Sequence, residues 1–197
     1  IEYDELTGVK GERWHSHSMF LPSDTPIVNS EWITMGQFHN IDYHKPPVNF
    51  DLKNNHFALV TRFHCIHPKK INKTCYSNEN PDAIKKIIDS SKLFGQWNDF
   101  IVNANWTSDI KNGFFKLWVN GELVYHFVGR TVAPDDQLTV QFGIYRGKAR
   151  SSGDANHVIF YDEIRTAKSC KKMKLSKLGY SCKDLENQKI DKIYRLQ

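Results

Sequence analysis

Two short stretches carry residue types suited to proton transfer. Gln37-Phe38-His39 and Gln141-Phe142-Gly143-Ile144-Tyr145-Arg146 set polar groups between apolar residues or glycine. In an extended chain, residues two or four apart share a face, so Gln37 lines up with His39 and Gln141 with Tyr145. A surface strand ordinarily spends its outward positions on Lys, Glu or Thr. Here those positions hold amides, an imidazole and a phenol. Such groups polarise a carboxylate, accept a proton and donate one.

These residues need strands to hold them, and the pattern supplies strands. Alternation predicts them over residues 13–21, 31–39, 48–52, 57–65, 97–106, 114–119, 122–127, 138–146 and 157–165. In the strand at 97–106, Phe100, Val102, Ala104 and Trp106 form one apolar face, and Trp97, Asp99, Ile101, Asn103 and Asn105 the other. Asn120-Gly121 between two alternating runs is a strong hairpin signal, because both turn positions need positive φ. Asn80-Pro81-Asp82 reads as a helix start with Pro at the first helical position, followed by the stripe Ile84, Ile87 and Ile88 and ended by Gly95. Eight or nine short strands with turns between them and one minor helix define an all-β fold. The expected architecture is a β-jelly roll, a concanavalin-like antiparallel sandwich with one or two short helices.

The 197 residues suit one domain spanning 1–197, with 168–197 a partly helical, peripheral basic tail. A hydrophobic content of 40% supports a folded core, and an aromatic content of 13% favours β-structure or a sugar-stacking surface. No apolar run is long enough to cross a bilayer, and no membrane partner is expected. The lysine cluster at 168–177 lacks any accompanying nucleic-acid motif and reads as a solvated tail. The net charge of +5 steers towards polyanions. A monomer is expected.

Four cysteines fall into local pairs, Cys65 with Cys75 and Cys170 with Cys182. Two local disulfides are the simplest of three pairings, and no CxxC spacing suggests a zinc ribbon. With the sequons Asn72-Lys73-Thr74 and Asn105-Trp106-Thr107, they point to an oxidising compartment and a secreted or periplasmic protein. No signal peptide is visible, and the chain opens mid-pattern at Ile1, as a processed form does.

Gln, His and Tyr on one sheet face match the needs of β-elimination in a uronic-acid polymer. A neutraliser must hold the uronate carboxylate while C5 loses its proton, a base takes that proton, and an acid protonates the departing oxygen. No water attacks, so the paired carboxylates of a glycosidase are not needed, and no convincing Glu/Asp pair stands on one strand, the acidic residues falling mainly in turns and in the tail.

Five segments in order carry a resemblance. They are Trp-His-Ser-His-Ser-Met-Phe-Leu-Pro at 14–22, Gly36-Gln37-Phe38-His39, the run from Gly113 through Phe114-Phe115-Lys116-Leu117-Trp118-Val119 to Asn120-Gly121, Phe142-Gly143-Ile144-Tyr145-Arg146, and Tyr161-Asp162-Glu163-Ile164-Arg165. Over roughly residues 11–166 the chain resembles the jelly-roll superfamily of heparin lyase I and glucuronan lyase, more distantly the alginate lyases. The resemblance implies Gln37 as carboxylate neutraliser, His39 as base or substrate contact, and Tyr145 as proton donor, with an anionic polysaccharide as partner. Heparin-cleaving members tend to carry a lysine four residues before that tyrosine. Gln141 stands there, which favours an unsulfated polyuronate such as glucuronan or alginate. Many members also have an Arg-containing strand before the Trp14 region, of which this chain gives no clear trace. The resemblance also suggests a structural calcium at Asp162, with Glu12 as a second oxygen donor. No cofactor is required for the chemistry.

Further substrate contacts are expected at Arg62, Asn103, Gln141, Arg146 and Lys148. Arg62 suits bidentate binding of a carboxylate, with a surface ion pair as the alternative. For Asn103 the alternative is a cross-strand hydrogen bond. Arg146 alternates towards the face opposite Tyr145. His15 and His17 share a strand face, but without a third ligand packed or solvated histidines are favoured over a metal site. Trp118 reads as a core residue ahead of a sugar platform. Two rivals remain: a non-catalytic glycan-binding sandwich, and a glycoside hydrolase with two carboxylates about 5 to 9 Å apart.

Overall fold

The computed structural model describes residues 2–26, 32–41, 45–53, 56–66, 84–134, 136–146 and 156–196. Two six-stranded sheets pack face to face as a jelly roll. The first runs β1 (Glu2–Val9), β10 (Leu138–Arg146), β3 (Trp32–Asn40), β4 (Val48–Lys53), β5 (His56–Thr61), β6 (Ile84–Ile88). The second runs β11 (Phe160–Ala167), β2 (Gly11–Phe20), β7 (Trp97–Trp106), β8 (Phe114–Val119), β9 (Glu122–Val128), β12 (Tyr194–Arg195). Neighbours are antiparallel except β12, which lies parallel to β9.

Alternation builds the core between the sheets. Ile33, Met35 and Phe38, Val48, Phe50 and Leu52, and Leu138, Val140 and Phe142 point inward from the first sheet. Phe100, Val102, Ala104 and Trp106 meet them from β7, the apolar face expected for that strand. His15 and His17 also point inward. The His17 ring stacks on Phe100 at 4.9 Å and meets Phe142 edge-on at 4.9 Å. Burial drives the pKa of each histidine from 6.5 down to about 3, so both are neutral packing residues. Asn120 and Gly121 take φ of 50° and 83° in the hairpin between β8 and β9.

Several elements differ from expectation: the strand expected over 57–65 ends at Thr61 and gives way to a 3₁₀ turn at Phe63–Cys65, and the short strand β12 in the tail was not expected. Ile84–Ile88 is the edge strand β6, paired with β5, where a helical stripe is expected. Its isoleucines are β-branched, and a ladder partner with core contact for Ile87 and Ile88 outweighs helical spacing. Lys85 and Lys86 lie on this edge, as suits a strand that must not pair further. Asn80-Pro81-Asp82, Cys75 and Asn72-Lys73-Thr74 lie outside the described residues, as does the side chain of Cys65. Strand β1 was not expected, because Glu2, Asp4 and Glu5 interrupt its apolar pattern.

The segment after β11 folds over the outer face of the second sheet. It contains α1 (Cys170–Met173), a 3₁₀ turn (Leu175–Leu178) and α2 (Cys182–Asn187). The Cys170–Cys182 disulfide closes it. Cys170, Met173, Leu175 and Leu185 bury against Trp14, Ile101, Trp118 and Leu123. Trp118 is 1% exposed and stacks on Trp14 at 5.6 Å, so it is core.

Candidate active site

The face of the first sheet turned away from the core gathers Gln37, His39, Gln141 and Tyr145. Register sets Gln141 opposite Gln37, and Gln37 opposite Asn49, in one row across three strands. A second row runs Tyr145, Thr34, Asp51. His39 lies opposite Thr139 on the other side of the Gln37 row.

A bulge makes these rows share a face. Four steps of β3, from Phe38 to Thr34, span the same length as three steps of β4, from Val48 to Asp51. The extra residue at Met35–Gly36 reverses the alternation. Ile33 and Met35 therefore stay inward, while Trp32 and Thr34 join Gln37 and His39 outside. Without it, Trp32 and Thr34 would turn into the core. It also shortens the path from His39 to Thr34, opposite Tyr145, by one strand step, about 3.3 Å.

Neighbouring side chains orient each group. The Gln37 Nε2 donates to Gln141 Oε1 at 2.7 Å. His39 Nδ1 lies 2.6 Å from the Asn40 carbonyl oxygen. A carbonyl only accepts, so Nδ1 carries the hydrogen and a neutral ring keeps its lone pair on Nε2. Tyr145 is 50% exposed, with its ring 5.8 Å from that of Trp32, itself 39% exposed.

Asn49, Asp51, Thr34 and Arg62 form a polar network beside this row. Arg62 Nη1 donates to Asn49 Oδ1 and to the Pro46 carbonyl, each at 2.9 Å. Thr34 Oγ1 donates to Asp51 Oδ1 at 2.7 Å, and Asn49 Nδ2 to Thr34 Oγ1 at 3.3 Å. Burial pushes the Asp51 carboxyl above its ordinary value, opposed by the Thr34 bond, the Arg62 charge and the Asn49 bond. Arg62 thus reaches this region, but Nη1 is committed to Asn49 and the chain at Pro46. Asp51 is the single acid in β3, β4 and β10, so these strands hold no hydrolase pair.

The structure separates several expected site residues from this face. Asn103 belongs to β7 of the second sheet and bonds across strands to Glu12 Oε1 at 3.1 Å. Its strand face was read correctly, but that face is on the far side of the sandwich. Arg146 leaves β10 on the side opposite Tyr145, and its Nη2 lies 2.6 Å from His157 Nδ1. Lys148 lies outside the described residues. Asp162 is exposed and accepts from the Glu163 amide at 2.7 Å. It pairs with Ser18, six residues from Glu12 along β2, or about 20 Å. Those two carboxylates cannot share an ion, and among the described residues no three His, Cys, Asp or Glu gather as metal ligands. Glu12 is therefore not a second ligand for a calcium at Asp162.

Trp32, Thr34, Asn49 and Asp51 were not singled out in the sequence. For Asn49 and Asp51 a signal existed, since they alternate with Val48, Phe50 and Leu52 as Gln37 and His39 do with Phe38.

A family model described as polysaccharide lyase matches residues 1–165. The chain belongs to the polysaccharide lyase family and is a lyase by class. No curated protein sequence matches it. Among solved structures it is similar to an endo-β-1,4-glucuronan lyase from the fungus Trichoderma reesei, with a TM-score of 0.59 and 16% identity over 85% of this chain and 74% of that one. It is similar to an alginate lyase from Chlorella virus, with a TM-score of 0.51 and 10% identity over 84% and 82%. The botulinum neurotoxin serotype D binding domain gives a TM-score of 0.52 and 15% identity over 86% of this chain and 37% of that one. At such identities the likeness shows the sandwich fold, and the site must carry the chemistry.

Proposed function

We propose that the protein cleaves an unsulfated uronic-acid polymer by β-elimination on the Gln37 face. The observation that carries this reading is the row of Gln37 and Gln141 lying between His39 and Tyr145 on one outward face of the first sheet.

The Gln37 amide meets the uronate carboxylate and spreads the charge that develops as C5 loses its proton. Asn49 lies beside it on the next strand. His39 Nε2 takes the C5 proton. The electron pair forms the C4–C5 double bond, the C4–O bond breaks, and Tyr145 gives its phenolic proton to the departing oxygen. The products are a new hydroxyl end and an unsaturated uronate. His39 has gained one proton and Tyr145 has lost one, so solvent resets both without a redox partner.

Gln141 stands where the heparin-cleaving members tend to have lysine, which favours a substrate without sulfate esters. The Trp32 and Tyr145 rings offer an apolar edge on which a sugar can rest. A net charge of +5 favours encounter with a polyanion. The Cys170–Cys182 disulfide supports a secreted or periplasmic location. Among the described residues no helix is long and apolar enough to cross a membrane.

Mass spectrometry of digests tests the reaction type. Elimination leaves new non-reducing ends lighter by one water than hydrolysis does. Products with ordinary saturated ends would replace this reading with a hydrolase.

A further inference from the structure

The Tyr161 hydroxyl joins the two irregular points of the first sheet. Tyr161 belongs to β11 of the second sheet, and its ring crosses the core beside Phe142, 5.7 Å away. The hydroxyl donates to the carbonyl oxygen of Met35, the bulged residue of β3. It also accepts from the Gly143 N–H at 3.3 Å, and the Gly143 oxygen lies 3.2 Å away. Gly143 falls in the matching irregularity of β10, between Phe142 opposite Gly36 and Tyr145 opposite Thr34. Its φ of 138° is one that other residues rarely adopt.

We infer that Tyr161 is a positioning residue for the lyase site. It never touches the substrate face. By bonding Met35 and Gly143 together it holds the bulge that turns Trp32 and Thr34 outward and sets the height of Tyr145 relative to Gln37 and His39. An apolar ring edge in its place leaves a core carbonyl and a core N–H without this partner, which favours relaxation of the bulge. A shift of about 1 Å in the acid costs up to about 100-fold in rate.

This inference rests on the lyase reading, and its test separates the two. The variants are Tyr161→Phe and Gly143→Ala, measured with wild type on the polyuronate that wild type cleaves. Each variant is expected to lose about 10- to 100-fold in kcat with KM within about twofold, and the double variant to be no slower than the slower single. Gly143→Ala keeps the test alive where Tyr161→Phe fails to fold. Amide hydrogen exchange supplies a readout free of substrate: in Tyr161→Phe, Gly143 is expected to exchange at least about tenfold faster, with β7 and β8 unchanged. Unchanged exchange at Gly143 overturns the inference, as does wild-type kcat in a folded variant. A wild type inactive on every polyuronate overturns the lyase reading and the positioning role with it, while exchange still reports whether Tyr161 holds the bulges.

Discussion

Gln37 and Gln141 meet across the boundary of β3 and β10, amide nitrogen to amide oxygen at 2.7 Å. The bond fixes the Gln37 amide at the centre of the outward face. Changing Gln37 to Ala is expected to lower kcat by about 100- to 1,000-fold, the loss typical of removing one donor to a developing anion. Gln37→Glu places like charge against the substrate carboxylate and is expected to lose at least as much. Steady-state kinetics check both, and a loss under threefold for either removes Gln37 from the chemistry.

In the proposed elimination His39 and Tyr145 divide the proton transfers. Tyr145→Phe removes the phenolic proton and keeps the ring. Turnover should fall at least about 100-fold with oligosaccharide binding nearly intact, as judged by calorimetry. His39→Ala should give a comparable loss, partly restored by added imidazole. Full activity in Tyr145→Phe removes Tyr145 as the acid.

Trp32 should act on binding. Trp32→Ala is expected to raise KM about tenfold with kcat little changed, the scale of losing one buried apolar contact. Quenching of intrinsic fluorescence by oligosaccharide should shrink in the same variant. An unchanged KM places the substrate elsewhere on the face.

The buried pair His15 and His17 predicts acid sensitivity. Each folded-state pKa is about 3 against an ordinary 6.5. Between these values the unfolded chain takes up protons that the folded chain refuses, so stability rises with pH in that window. The contribution is complete above about pH 6.5 and is lost as pH falls towards 3, at about 1.4 kcal/mol per pH unit for each histidine. The Tm is expected to drop by about 5 to 15 °C between pH 7 and 5. The double variant His15→Leu/His17→Phe should flatten this drop, and an equally steep profile in it would assign acid sensitivity to other groups.

The Cys170–Cys182 bridge closes a loop with a sequence separation of 12. Cys170→Ser/Cys182→Ser is expected to cost about 3 kcal/mol and to loosen the segment over Trp14 and Trp118. If Cys65 and Cys75 are also bridged, intact mass rises by four hydrogens on full reduction. A rise of two leaves one bridge, and no rise refutes both.

Much of this was legible in the residues because alternation reports directly on faces. The strands, the Asn120-Gly121 hairpin and the outward setting of Gln37, His39, Gln141 and Tyr145 follow from a period of two. Alternation does not report which sheet a strand joins, so Asn103 had the right strand face and the wrong side of the sandwich. It also assumes an unbroken period. The bulge at Met35–Gly36 breaks it, which hid Trp32 and Thr34. Ile84, Ile87 and Ile88 fit a helix by spacing, but the edge of β5 decides their state, and that edge is set by the whole sheet.

The central claim is elimination from a uronate, and its most direct measurement is the ultraviolet absorbance of an unsaturated uronate during incubation with glucuronan, alginate and heparin. The account predicts a steady rise with glucuronan or alginate, a smaller one or none with heparin, and no rise with Tyr145→Phe. No rise with any of the three polymers from folded wild-type protein would contradict it.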